Sequence, residues 1–280
     1  MKIKFTKMQG LGNDFVVLDY DEFKKSGLEL KELAIKLCDR HFGIGADGLM
    51  VVNPFVKNTD AGWFFYNSDG TIAQMCGNGI RCFARYMKQK GFISKNEFSV
   101  ETLAGTIIPK INDDNTVTVN MNKPITNPEK IPLKSSDNLN FEVSAKGKIF
   151  VANAISMGNP HCIIFTDENT AKAALEYGSD IETNPLFPEK TNVEFIKIIS
   201  RSEINLNVWE RGCGITLACG TGACASVVAG ILNGYLDEKV KVNLPGGQLV
   251  IEWKGSNNDI NHNVYMTGPA TFVFEGEFEV

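Results

Sequence analysis

The feature that most constrains the fold is that the chain states one pattern twice. Met75-Cys76-Gly77-Asn78-Gly79 and Ala218-Cys219-Gly220-Thr221-Gly222 each set one cysteine before a glycine-flanked turn. Each is followed by a run of helical character, residues 80–87 and 223–229. Other landmarks recur in the same order. Gly12-Asn13 stands ahead of the β-rich run Phe15-Val16-Val17-Leu18, and Gly158-Asn159 stands ahead of Cys162-Ile163-Ile164-Phe165. Asn67 and Glu210 each lie nine residues before their cysteine, at the end of an aromatic-containing strand pattern. Thr102-Leu103-Ala104-Gly105 is answered by Asn243-Leu244-Pro245-Gly246, and Val117–Asn120 by Asn263–Met266. Four landmarks in the same order predict an internal duplication: two pseudo-symmetric α/β halves, each offering one cysteine loop.

Between these landmarks the reading is coarser. A polar loop is expected over Gln9–Asp14, a helix over Leu28–Asp39, strands over Leu49–Val52 and Trp63–Tyr66, and a helix from the first cysteine loop to about Lys90. Further strands are expected near Phe98–Thr102, Thr106–Lys110 and Thr116–Met121. Pro124, Pro128 and Pro132, with Asn and Lys between them, mark a connector.

Composition limits what such a chain does. With 280 residues, 43% of them hydrophobic, it can bury a full core and exceeds the size at which single cores stop growing. A net charge of −5 without a basic block gives nucleic acid or an anionic membrane no handle, so a small-molecule site is the default. The first residues lack the apolar segment of a signal peptide, and no apolar run approaches membrane-spanning length, which predicts a cytoplasmic protein. Seven cysteines, an odd number in a chain too large to need staples, argue against a disulfide framework. The cysteine spacings miss the ligand windows of zinc sites, and only three histidines are present, so no metal is expected. Cys38, Cys82, Cys162 and Cys224, each inside an apolar run, read as buried, inert thiols.

Cys76 and Cys219 read differently. Both fall at helix N-termini, where unpaired amides and the macrodipole favour an anion and push a thiol toward thiolate. Two like halves that present thiols to opposite faces of one carbon can invert it, one thiolate removing a proton while the opposite thiol donates one. The amides of Gly77, Asn78, Gly220 and Thr221 are placed to stabilise the charge that develops on an amino acid carboxylate. No pyridoxal phosphate signature is evident, and no cofactor is expected. Taken singly, Asn13, Asn67 and Asn159 read rather as turn formers and His161 as a structural histidine, and Glu210-Arg211 reads equally as a solvated ion pair.

Six ordered motifs carry a resemblance over essentially the whole chain. They are Gly10-Leu11-Gly12-Asn13-Asp14-Phe15, Met75–Cys82, Gly158-Asn159-Pro160-His161, Thr191-Asn192-Val193-Glu194-Phe195, Glu210-Arg211-Gly212 and Ala218–Ala223. Together they resemble the diaminopimelate epimerases, cofactor-independent enzymes that interconvert LL- and meso-2,6-diaminopimelate in the synthesis of lysine and peptidoglycan precursors. The resemblance implies an α/β (α+β) fold with a mixed sheet or barrel wrapped around a central helix in each half. It implies an N-terminal half over residues 1–122, joined by the C-terminal strand 269–280, and a C-terminal half over 123–268. It assigns Cys76 and Cys219 as acid/base thiols with His161 and Glu210 beside them. Asn13, Asn67, Asn159, Asn192, Glu210 and Arg211 are then implied to hold the substrate, chiefly its distal amino acid end.

The chemistry of that end agrees: a carboxylate suits the forked guanidinium of Arg211, and an ammonium suits asparagine and glutamate oxygens. Two departures from the family stand out. Gly48 occupies a segment where some members carry a glutamine contact, and Phe274 aligns with a tyrosine linked to dimer formation, which leaves a homodimer as an expectation. The alternative readings are a proline or hydroxyproline racemase, whose members typically carry histidine at the place of Asn78, and a non-catalytic amino acid binding protein, which would need neither thiol.

Overall fold

The structure is a computed structural model describing residues 1–280. It separates into two compact units, Met1–Val119 with Gly268–Val280, and Asn120–Thr267. The first begins with strands β1 (Lys2–Gly10) and β2 (Asn13–Leu18), helices α1 (Tyr20–Ser26) and α2 (Leu30–Cys38), and strands β3 (Gly48–Val52) and β4 (Ala61–Asn67). Helix α3 (Gly77–Gln89) follows, then β5 (Val100–Thr102), β6 (Gly105–Ile107), β7 (Lys110–Ile111) and β8 (Val117–Asn120). The second unit contains a 3₁₀ turn (Pro128–Lys130), β9 (Phe141–Ala145), β10 (Lys148–Ser156), β11 (Pro160–Phe165), α4 (Thr170–Glu182), β12 (Asn192–Ser200) and β13 (Glu203–Glu210). It continues with β14 (Gly214–Ile215), α5 (Gly220–Leu232), β15 (Lys239–Leu244), β16 (Gly247–Glu252) and β17 (Tyr265–Gly268). The last strand, β18 (Thr271–Glu279), returns to the first unit and pairs antiparallel with β1.

In the first unit the sheet order is β18-β1-β2-β3-β4-β5-β6. The polar loop expected over Gln9–Asp14 is shorter than the sequence suggests. β1 and β2 pair up to Gly10↔Asn13, and only Leu11 (φ 57°) and Gly12 (φ 83°) turn the chain. Two successive positive φ angles define a hairpin turn whose twist matches the strands, which leaves Asn13 and Asp14 in the ladder. A leucine in the left-handed region costs about 1–2 kcal/mol, offset here by near-complete burial of Leu11.

In the second unit β16, β15, β13, β12, β11, β10 and β9 run in that order across the sheet, and β14 pairs β13. The helix α4 was not visible as a periodic pattern. Asn169 caps it by accepting from the Lys172 amide (2.9 Å), and Gly178 lets it lie on β13, where a Cβ would come within 2.5 Å of Trp209.

Each unit buries one helix on nearly every side. Ile80–Ala84, Tyr86 and Met87 of α3 are buried, as is Gly222–Gly230 of α5, the behaviour of a helix at the centre of a core. The duplication extends to strand register. In the first unit β2 and β3 run parallel with Phe15↔Gly48, and β4 runs antiparallel with Gly48↔Asn67. In the second, β11 and β12 run parallel with His161↔Asn192, and β13 runs antiparallel with Val193↔Trp209, which sets Glu210 opposite Asn192. Asn13 thus corresponds to Asn159, Gly48 to Asn192 and Asn67 to Glu210.

Candidate active site

In the first unit three strand ends meet the start of α3. Cys76 is the residue before the helix, in extended conformation (φ −142°, ψ 122°), and its Sγ accepts from the Gly79 amide at 3.4 Å. Extended geometry at this position turns the side chain back over the first turn, where amides lack intrahelical partners. Asn13 Oδ1 lies 3.5 Å from Cys76 Sγ and accepts from Asn78 Nδ2 (3.3 Å). Asn13 is itself held, its Nδ2 donating to Asp47 Oδ2 at 2.7 Å. Arg40 bridges Asp47 and Asp14, and Lys7 pairs with Asp14 at 2.7 Å, which holds the Asp14 carboxyl below its ordinary range despite burial. Asn67, at the end of β4, donates to Thr71 Oγ1 (2.9 Å) and is exposed. No side chain fits at position 48, because a Cβ there would lie 2.8 Å from the Tyr66 carbonyl and 2.9 Å from the Phe65 ring.

The second unit repeats this layout with different chemistry. Cys219 caps α5 in extended conformation (φ −120°, ψ 108°), accepts from the Gly222 amide at 3.4 Å and lies 3.5 Å from Thr221 Oγ1. Glu210 accepts from the Thr216 hydroxyl. Asn192 is buried between the Pro160 carbonyl, which takes its Nδ2 proton (2.8 Å), and the Arg211 amide, which donates to its Oδ1 (2.9 Å). Its side chain therefore fixes the backbone of two neighbouring segments. The Arg211 guanidinium is exposed and donates to the Glu189 carbonyl (3.1 Å). Asn159 Oδ1 is 3.1 Å from His161 Nε2, while His161 Nδ1 is 2.7 Å from Glu194 Oε1.

One expectation is reversed. A cysteine at a helix N-terminus should be pushed toward thiolate, yet Cys219 is held well above the ordinary thiol range. Burial is the first cause and the negative charges of Glu210 and Glu194 the next. The Thr221 and Gly222 hydrogen bonds pull the other way and are outweighed. Burial likewise raises the Glu210 carboxyl. The apolar-run cysteines are buried as expected, and desolvation pushes Cys38 and Cys82 up to about 12.

Two further residues, Arg81 and Glu194, take part in the half-sites without a local sequence signal of their role. Arg81 is fully buried, and it donates to Asn78 Oδ1 (2.9 Å), the Gly77 carbonyl (3.0 Å) and the Pro269 carbonyl (3.1 Å), bracing the first cysteine loop. Glu194 is a fully buried carboxylate in the middle of β12, and its Oε2 has no hydrogen-bond partner. An acid between Val193 and Phe195, inside an apolar strand pattern, is a signal of position alone. His161, Glu194 and Cys219 bring ligand-type atoms within 4.8 Å of one another. Cysteine spacing could not reveal that set, because its members come from three separate segments.

The family model of diaminopimelate epimerase matches residues 5–126 and 153–273, nearly the whole chain in two segments. The chain belongs to the diaminopimelate epimerase family. The diaminopimelate epimerase of Carboxydothermus hydrogenoformans is 51% identical over 281 aligned positions, covering 99% of both chains. That of Halothermothrix orenii is 47% identical over 289 positions, covering 100% of this chain and 99% of its own. Among solved structures, a Bacillus anthracis phenazine biosynthesis protein of the PhzF family matches with TM-score 0.69 at 14% identity, each chain covered in full. A hydroxyproline epimerase from Agrobacterium vitis matches with TM-score 0.67 at 12% identity, over 99% of this chain and 92% of that one. These two likenesses are of fold alone.

Proposed function

We propose that this chain is an isomerase that interconverts LL- and meso-2,6-diaminopimelate without a cofactor, Cys76 and Cys219 acting on opposite faces of the reacting carbon. The full-length identity to named diaminopimelate epimerases carries the reading, and the two helix-capping cysteines, one per unit, supply its chemistry. One thiolate takes the α-hydrogen as a proton and becomes a thiol. The carbanion is stabilised through its carboxylate by the amides of Gly77, Asn78, Gly220 and Thr221. The opposite thiol then gives up its proton to the other face and becomes the thiolate. The reverse reaction exchanges the two roles.

His161 and Glu210 support the Cys219 side. The distal amino acid end is held by Asn13, Asn67, Asn159, Asn192, Glu210 and Arg211. The exposed guanidinium of Arg211 has donors beyond its one backbone contact to offer a carboxylate. Gly48, which admits no side chain, contributes no side-chain contact to that end. A proline or hydroxyproline racemase activity has less support, since its similarity to this chain is one of fold. No helix is long and apolar enough to cross a membrane. We place the enzyme in the cytoplasm, as a homodimer, in lysine and peptidoglycan precursor synthesis. Incubation of the purified protein with LL-diaminopimelate should yield the meso isomer without added cofactor. Recovery of LL-diaminopimelate alone would reject the reading.

A further inference from the structure

The Glu194–His161 pair is more than the fold requires. In strand register His161 takes the place of Phe15 and Glu194 the place of Met50. Both Phe15 and Met50 are buried, and they fill the matching position of the first unit with apolar side chains. The correspondence holds at the helix as well. A Cβ on Gly79, third residue of α3, would lie 3.6 Å from Met50 Sδ, and a Cβ on Gly222, third residue of α5, would lie 2.5 Å from Glu194 Oε1 and 3.2 Å from Cys219 Sγ. The same architecture therefore closes with Phe and Met. Replacing them by two fully buried polar groups costs desolvation that packing does not demand.

The pair is also directed. A carboxylate accepts, so the 2.7 Å contact places a proton on His161 Nδ1; Nε2 of that tautomer is an acceptor 3.1 Å from the Asn159 amide, and it pairs with that amide through the NH2 group in the flipped orientation. The carboxylate lies against the first turn of α5, where the helix dipole favours negative charge, and only a glycine at position 222 leaves it room. Its second oxygen has no hydrogen-bond partner. The contacts form a line from Glu194 through His161 to Asn159.

We propose that Glu194 is a positioning residue for the reaction at Cys219: it fixes the ring orientation and Nδ1 proton of His161, and through His161 the amide of Asn159. The kinetic consequence rests on the epimerase reading above, and the ring geometry does not. The test uses ¹⁵N-histidine-labelled protein, which carries only three histidines, His41, His161 and His262. His161→Gln assigns the signal. The wild type should show a downfield, exchange-protected Nδ1 proton on His161, moved upfield in Glu194→Gln, because a neutral acceptor makes a weaker bond.

With diaminopimelate, Glu194→Gln should retain the wild-type melting temperature and lose kcat by roughly ten- to a hundredfold, more than any change in KM. The double variant His161→Phe with Glu194→Met, which copies the first unit, should fold and be inactive. An unprotonated Nδ1, a signal indifferent to Glu194→Gln, or a wild-type kcat in that variant overturns the proposal. If the wild type does not act on diaminopimelate, the functional reading fails and the nitrogen spectrum alone decides this one.

Discussion

At the level of single residues, the two capping cysteines are alike in backbone and unlike in surroundings. Cys76 is half-buried and set against the amide of Asn13, whereas Cys219 is 4% exposed and shares its unit's site with two carboxylates. Negative charge disfavours a thiolate, so removing one of those carboxylates should lower the Cys219 pKa. In Glu210→Gln, alkylation of Cys219 by iodoacetamide, followed by peptide mapping to separate it from the exposed Cys213, should begin at lower pH and run faster at any fixed pH than in the wild type. Because burial is the first cause, the midpoint should stay above that of an ordinary thiol. An unchanged or higher midpoint would mean that Glu210 does not act on this sulfur. The sequence placed both cysteines at helix starts, since glycine-flanked turns before apolar runs are a local signal. It could not weigh burial against the dipole, because burial is set by strands distant in sequence.

Among the elements, the first turns of α3 and α5 do the positioning, and their third residues differ in how much they tolerate. A methyl group at Gly79 would meet Cys76 Cβ at 3.3 Å and other atoms at 3.5 Å or more. At Gly222 it would press a carboxylate oxygen at 2.5 Å. Gly222→Ala should therefore destabilise by about 1–3 kcal/mol, as overpacked cores do, and cost more than Gly79→Ala in urea denaturation. Equal effects would show that the second half-site is looser than its geometry. The helices and strands around these turns were legible where hydrophobic period and turn residues agreed, as in α2, β3 and β4. The polar stretch Gln9–Asp14 misled because a two-residue turn with positive φ needs only Leu11 and Gly12 and leaves its polar neighbours paired. α4 escaped because its glycine and scattered polar residues hide a face that only the packing on Trp209 explains. The role of Glu194 is not legible in its motif, since it depends on the register that sets it beside His161 and α5.

For the whole molecule, the duplication governs the account: two copies of one strand and helix layout, diverged at the positions that carry chemistry. β18 is the outer strand of its sheet, with Val273 and Phe274 half-exposed and Phe274 set edge-on to Phe5 at 5.7 Å. Long outer strands with apolar side chains are pairing surfaces. Light scattering should give twice the mass of one chain, with Phe274→Glu shifting the mass toward that of a single chain, and a wild-type monomer would refute the dimer. The central claim is that one thiol serves each face of the reacting carbon. Its most direct test is α-hydrogen exchange in deuterated water by Cys76→Ala and Cys219→Ala. Each variant should lose epimerisation, retain at most slow exchange without inversion, and act on opposite configurations of the reacting centre. A shared preference, or a near wild-type rate of inversion in either variant, would contradict it.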